Sequence, residues 1–275
     1  MTRRSLQSAI GVALAAVSAA FLMPQLWLLS LSLKQKSAVY EFPPRWLPRD
    51  PSLDNYAFAL TGTQVPWYLV NSVKVALLAT LVTMAAGIPA AFALSRERFR
   101  ARSVLLAVLL GVQMLSPVVL LLPIYQLVDA MRLIDTHGGL ILVYAAVQAP
   151  FTVWVLKNFF DGLPPALFEA ARLDGASRLH TLRAIALPLV APGLASVAIF
   201  NLAAYWSEFA LALVLLDSQA RFTVPIGIFN LQSGYETEWQ IVAAASFIGL
   251  VPMVAAFVLL QRYFIAGLTA GAVKG

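Results

Sequence analysis

The chain has 275 residues, of which 60% are hydrophobic and 12% charged, with a mean hydropathy of +0.81. Globular domains carry about a quarter charged residues, so this composition excludes a soluble enzyme or binding module and directs most apolar surface to lipid or other helices. The 19 Lys and Arg and 13 Asp and Glu build no clustered basic face for nucleic acid, and zero cysteine excludes disulfides, thiolate zinc sites and cysteine nucleophiles.

Arg3 and Arg4 precede an apolar run over 9–33. Ser18-Ala19-Ala20 resembles a cleavage site, but the run continues through Trp27 to Leu33, beyond the roughly 7–15 residues of a signal core, so it reads as an uncleaved span. A spanning helix needs about 20 apolar residues, and six stretches qualify: 9–33, 66–94, 103–128, 138–159, 186–216 and 240–264. Polar segments at 34–65, 95–102, 129–137, 160–185 and 217–239 separate them. The expectation is an all-α integral membrane protein of six transmembrane helices, one domain over 1–275.

Charge orients it. One face takes Arg3, Arg4, Arg96, Arg98, Arg100, Arg102, Lys157, Arg172, Arg178, Arg183, Arg262 and Lys274 against Glu97, Asp161, Glu169 and Asp174. The other takes Lys34, Lys36, Arg45, Arg49, Arg132 and Arg221 against eight acids. The first face is therefore cytoplasmic and holds both termini. Lys74, near the outer end of the second span, snorkels to the headgroups.

The polar segment at 160–185 carries the strongest motif. Pro164-Pro165 opens a short helix through Leu173, Asp174-Gly175 turns it, and a second helix is expected from Ala176 to Ile185. Pro188 and Pro192 begin and bend the fifth span. Glu169-Ala170-Ala171, Gly175, Ile185 and Leu187-Pro188 make the spacing E-A-A-x3-G-x9-I-x-L-P. This resembles in full the cytoplasmic loop signature of permease subunits of binding-protein-dependent ABC importers. Asn71-Ser72, Gly87-x-Pro-Ala-Ala-x-Ala-Leu-Ser-Arg96, Trp206-Ser207-Glu208-Phe209 and the ending Gly267–Gly275 look like the carbohydrate-importer, MalG-like branch. Ser207 departs from that branch, where asparagine is more usual.

The resemblance implies a type I importer permease fold with a cytoplasmic coupling helix, in a bacterial inner membrane. It implies a second homologous permease, an ABC ATPase dimer holding the ATP and Mg, and an extracytoplasmic solute-binding protein facing loop 217–239. Glu169, Ala170, Ala171, Asp174, Gly175 and Arg178 would contact the ATPase, and the C-terminal tail would reach it too. The chain itself is expected to hold no cofactor: it has no G-x-x-x-x-G-K-[ST] run, and His137 and His180 are too far apart for a metal site.

Asn201, Tyr205 and Glu208 fall at i, i+4 and i+7, one face of a helix, and Tyr144, Gln148 and Thr152 form a second stripe. Hydroxyls, amides and aromatic faces suit a sugar pathway; polar side chains that join helices within a bundle have the same appearance. An importer of a non-sugar solute such as glycerol phosphate is the nearer alternative. An ion-coupled secondary transporter is the more distant one, and it calls for matched helix breaks and carboxylates in two halves.

Overall fold

The computed structural model describes residues 3–97, 99–232 and 237–272, with side chains over 10–97, 99–232 and 237–259. Arg98, Glu236, Lys274 and the last three residues of the C-terminal motif lie outside the described residues. Among the described residues there are helices and no strand. The backbone divides into two compact units, Met1–Pro66 with Gly227–Pro252, and Trp67–Ile226 with Met253–Gly275.

In the first unit α1 (Arg3–Ser32) is apolar on every side, with none of its most hydropathic window buried within the chain. Two short helices, α2 (Lys36–Val39) and α3 (Asp54–Thr61), follow it. A helix ends with carbonyls that lack partners. Here Asn55 Nδ2 donates to the carbonyls of Ser32 at 2.9 Å and Lys34 at 2.8 Å, and Ser52 N donates to Leu33 at 3.0 Å. Those bonds fold loop 41–55 back onto the end of α1.

The second unit is built around α7 (His137–Asp161), which packs against α5 (Arg102–Gln113) and α11 (Ala191–Ser207). The long α4 (Val65–Arg96) has 32 residues, about 48 Å at 1.5 Å per residue and more than the ~30 Å hydrocarbon layer. Its remaining elements are α6 (Leu121–Ala130), α8 (Pro165–Leu173), α9 (Arg178–His180), α10 (Leu187–Leu189) and α12 (Ala210–Leu215), while α13 (Val224–Asn230) and α14 (Trp239–Ala272) are each divided between the two units. Two apolar clusters fill the interior. One surrounds Leu140, Tyr144, Tyr205 and Leu211; the other surrounds Leu156, Phe160, Leu182 and Ala186.

By length and composition, four described helices can cross a membrane: Ile10–Ser32, Val65–Arg96, His137–Asp161 and Trp239–Leu259. The other two expected stretches are apolar but not continuous. Residues 103–128 divide into α5 and α6 at Ser116-Pro117, because proline lacks an N–H and disfavours helix at the residue before it. The fifth stretch bends by 81° between Arg178–Leu189 and Ala191–Ser207, then stops at Ser207 before α12.

The segment 217–224 is held by side chains from α4 and from the turn before α7. Asp135 Oδ1 accepts from the amides of Asp217 at 3.1 Å and Ser218 at 3.0 Å, and Oδ2 meets the Ser218 hydroxyl and Arg221 Nη1, the latter at 3.0 Å. Asp135 has φ +53°, a left-handed conformation that a short polar side chain tolerates by bonding locally. Asn71 Nδ2 donates to the carbonyls of Ala220 at 2.9 Å and Phe222 at 3.0 Å, and Val224 N donates to Ser72 Oγ at 2.8 Å. The pair Asn71-Ser72, noted above as a motif, thus clips this loop to α4.

Burial would raise the Asp135 carboxyl, but the Ser218 hydroxyl, the two amides and Arg221 outweigh it and hold it below the usual carboxylate range. A lowered folded-state value means the clasp contributes its stability above about pH 4, the unfolded aspartate value, and loses it as pH falls through the folded one. Asp135→Asn is therefore expected to lower the thermal midpoint near neutral pH, with the gap to wild type closing below about pH 4. A gap independent of pH would disprove the ionic part of this account.

Candidate functional site

Residues 160–193 fold as a polar arm beside the second apolar cluster. Pro165 occupies the first position of α8, where its missing N–H costs nothing. The helix ends in a Schellman motif: Ala176 N donates to Ala171 O at 2.9 Å and Gly175 N to Arg172 O at 3.1 Å. That geometry requires the φ of +75° found at Gly175, where a side chain would meet no atom within 4 Å. Glycine is needed for its backbone and not for space. Ser177 then caps the next helix, its Oγ accepting from His180 N at 3.2 Å.

The second arm helix was expected over Ala176–Ile185. It starts at Arg178 and continues to Leu189, with a π-helical stretch, Thr181–Ala186, just before Pro188. The ring of Pro188 obstructs a regular turn, and a widened one is a usual response. Past the bend at Val190, Gly193 lies against Phe159, where a Cβ would come within 2.6 Å of the ring. Glycine here lets α11 close on α7.

The arm has two faces. Ala171 is buried and Phe168 half-buried, with the Phe168 ring centroid 6.1 Å from that of Phe92. Glu169, Ala170, Arg172, Asp174, Gly175 and Arg178 are exposed, and Leu173 is 89% exposed. The six residues expected to contact an ATPase therefore form one surface stretch, except Ala171, which faces inward. Arg178 pairs with Glu97 at 3.2 Å on the surface.

Arg96, read from sequence only as an orienting charge, joins this arm to the spans. Its guanidinium donates to the carbonyls of Phe160 and, at 3.0 Å, of Leu163, while its Cζ lies 4.0 Å from the Phe168 ring centroid. It thus adds a side-chain donor to the Phe160 carbonyl, which also accepts from Leu163 N at 3.1 Å, takes up the Leu163 carbonyl just past α7, and stacks on α8 at once. Beside it Ser95 Oγ donates to Asp161 Oδ1 at 2.6 Å, and Lys157 pairs with the same carboxylate. The signal was present: Arg96 closes the Gly87–Arg96 motif.

The candidate pathway residues separate into two groups. Asn201 is wholly buried, and its Nδ2 donates to Thr152 Oγ1 at 2.9 Å. Tyr205 stacks on Tyr144 with centroids 5.3 Å apart and bonds Thr83 at 2.6 Å. These side chains cross-link α4, α7 and α11 inside the unit. Glu208 does not share the α11 face assumed from i, i+4, i+7, because α11 ends at Ser207. Its carboxylate accepts from the amides of Leu211 at 2.8 Å and Ala212 at 3.1 Å, and from the Tyr144 hydroxyl at 2.7 Å. A carboxylate in an apolar run is accounted for by the donors that the helix break leaves open. Gln148 is half-buried on a cleft of about 280 Å³ lined also by Gln113, Leu120, Phe151 and Phe200.

The family described as binding-protein-dependent transport system inner membrane component matches residues 83–269, more than half of the chain and all of the arm. The chain belongs to this family. It is similar to the sulfoquinovosyl glycerol transport system permease protein SmoH of Agrobacterium fabrum, 34% identical over 254 residues that cover 92% of this chain and 89% of that one. It is 35% identical over 269 residues to the trehalose/maltose transport system permease protein MalG of Thermococcus litoralis, covering 97% and 95%. Its fold matches a chain of a bacterial ABC transporter involved in import of the acidic polysaccharide alginate, with a TM-score of 0.81 at 20% identity, over 96% of this chain and 99% of that one. The permease family's matched stretch begins within α4 and contains Arg96, the arm and Glu208, while α1 to α3 lie before it.

An L side chain at a left-handed backbone costs about 1–2 kcal/mol, and most for a β-branched residue. Gly175→Val is expected to destabilise the purified protein by about that much in thermal unfolding, with Gly175→Asn much nearer wild type. Equal loss in both variants would mean that space, and not φ, dictates glycine.

Proposed function

We propose that the chain is one permease subunit of an ATP-driven importer for a sugar or sugar-like solute. A second, homologous permease completes the pathway, an extracytoplasmic binding protein delivers the solute, and a separate ATPase dimer holds ATP and Mg. The observation that carries this reading is the two-faced arm. Its outer surface, from Glu169 to Arg178, presents the apolar Leu173 among charged neighbours, and its inner face is fixed to α4 and α7 through Phe168, Ala171 and Arg96. Covering an exposed leucine is worth about 2 kcal/mol, a driving force for docking another protein there.

Mechanically, a partner that moves α8 must move what α8 is fastened to. The Arg96 bonds carry the displacement to the end of α7, and the chain from Ser177 to Val190 carries it to α11. Asn201 with Thr152, and Glu208 with Tyr144, then hold α11, α12 and α7 together as they shift. The solute class is supported by the sugars and polysaccharide named for the relatives. In this reading the arm and both termini face the cytoplasm, and the path runs along Gln148 and the Tyr144–Glu208 junction.

Two experiments test it. Gentle detergent purification of the tagged chain from its native membrane is expected to recover a second permease and an ATPase, and ATP is expected to drive uptake by the reconstituted complex. A chain that comes out alone and transports without ATP would overturn the proposal in favour of an ion-coupled carrier. For the pathway, Glu208→Ala is expected to reduce uptake several-fold while the complex still assembles. Unchanged uptake would remove Glu208 from the path.

A further inference from the structure

The first unit carries a feature that lies apart from the arm and the pathway residues described above. On the topology proposed above, the outer side is poor in cations, yet Lys34, Lys36, Arg45 and Arg49 fall within sixteen residues of one another there. Three of them, with Glu41 and Asp50, line a polar hollow of about 320 Å³ at the Ser32 end of α1. An apolar hollow of about 430 Å³ is lined by Met23, Pro24, Trp27, Pro44 and Trp46. Pro44, Arg45 and Trp46 line the two hollows in turn, and Lys34 of the first lies beside Trp27 of the second. Trp27 and Trp46 pack edge to face at 4.9 Å, and Lys34 Nζ lies 4.6 Å from the Trp27 ring centroid.

The walls are preformed. Lys34 is 3% exposed and donates to Arg45 O at 2.5 Å, and Ser30 Oγ donates to Trp46 O, so the loop is fixed against α1. The charge balance is not closed. A single oxygen of Glu41 takes both Arg45 Nε at 3.3 Å and Arg49 Nη2 at 3.9 Å, leaving most of the donors of two guanidinium groups for another acceptor. Lys34, Arg45 and Arg49 against Glu41 and Asp50 leave one positive charge in excess. A phosphodiester carries one negative charge and accepts from planar guanidinium groups. Tryptophans at the end of a spanning helix sit at headgroup depth, so a ligand at this level can keep its phosphate on the arginines and its chains along Trp27 and Trp46.

We infer that these two hollows bind an anionic phospholipid: Arg45 and Arg49 hold the phosphate, and the tryptophan-lined hollow takes the start of an acyl chain. The proposal concerns α1 and its loop, before the matched stretch 83–269, and does not depend on what is transported.

The test is native mass spectrometry of the full chain, alone or with whatever subunits purify with it, titrated with phosphatidylglycerol, phosphatidylcholine or glycerol phosphate. Phosphatidylglycerol is expected to bind selectively, and Arg45→Gln with Arg49→Gln to weaken it roughly thirtyfold, at about 1 kcal/mol per cation. The double lysine variant, which keeps both charges, is expected to retain most of the binding and so separates charge loss from misfolding. Equal retention of phosphatidylcholine, or no effect of the glutamine pair, would overturn the assignment. Glycerol phosphate binding as well as the lipid would also overturn it, by making this a site for a soluble anion.

Discussion

Backbone polar groups that a helix break leaves open cannot be answered by hydrocarbon, and this chain breaks its apolar runs repeatedly. The answers come from side chains that look out of place in a membrane protein. Glu208 accepts from the first free amides of α12, and Arg96 donates to carbonyls at the end of α7. Asn55 serves the end of α1, Ser177 the start of α9 and Thr136 the start of α7. Glu208, Arg96 and Asn55 also fasten two elements together, so at those places the satisfaction of the backbone and the tertiary structure are the same set of bonds.

The same constraint explains where charge can be tolerated. Glu208 bonds with a tyrosine hydroxyl and two amides, and Arg96 with two carbonyls and an aromatic face. Either group without those partners would face a desolvation cost of several kcal/mol. Function and folding therefore share residues here. A change at such a position alters both the shape of the helix junction and whatever passes or docks beside it.

Much of this was legible in the residues. Uninterrupted apolar length marked α1, α4, α7 and α14, and Asp174-Gly175 marked the Schellman turn, because only glycine is at ease with that backbone. The arm and its Pro164-Pro165 entry could be placed to within a few residues. What could not be read is what each polar side chain bonds. Pro117 divides the third apolar run and Ser207 ends a helix in the fifth, but hydropathy averages over both breaks. With the fifth run taken as one helix, Glu208 fell on the face of Asn201 and Tyr205. Arg96 was visible as a charge and as the end of a motif, but its carbonyl partners lie more than sixty residues away in sequence, at the far end of the third helix that follows it. Periodicity carries no information about such pairings.

The 81° corner at Val190 has a geometric consequence. The segment from Arg178 to Leu189 is about 18 Å long and α11 about 25 Å, at 1.5 Å per residue. Two stiff arms set nearly at right angles form a bell crank. Turned about its corner, it converts a push along one axis into a stroke along the perpendicular axis, and the stroke at the far end of α11 exceeds the push by the ratio of the arms, about 1.4. The wedged contact of Gly193 on Phe159 sits just beyond the corner, close to where such a crank would have its pivot. A displacement of a few ångströms at the arm would then arrive, enlarged and redirected, at the Glu208 junction.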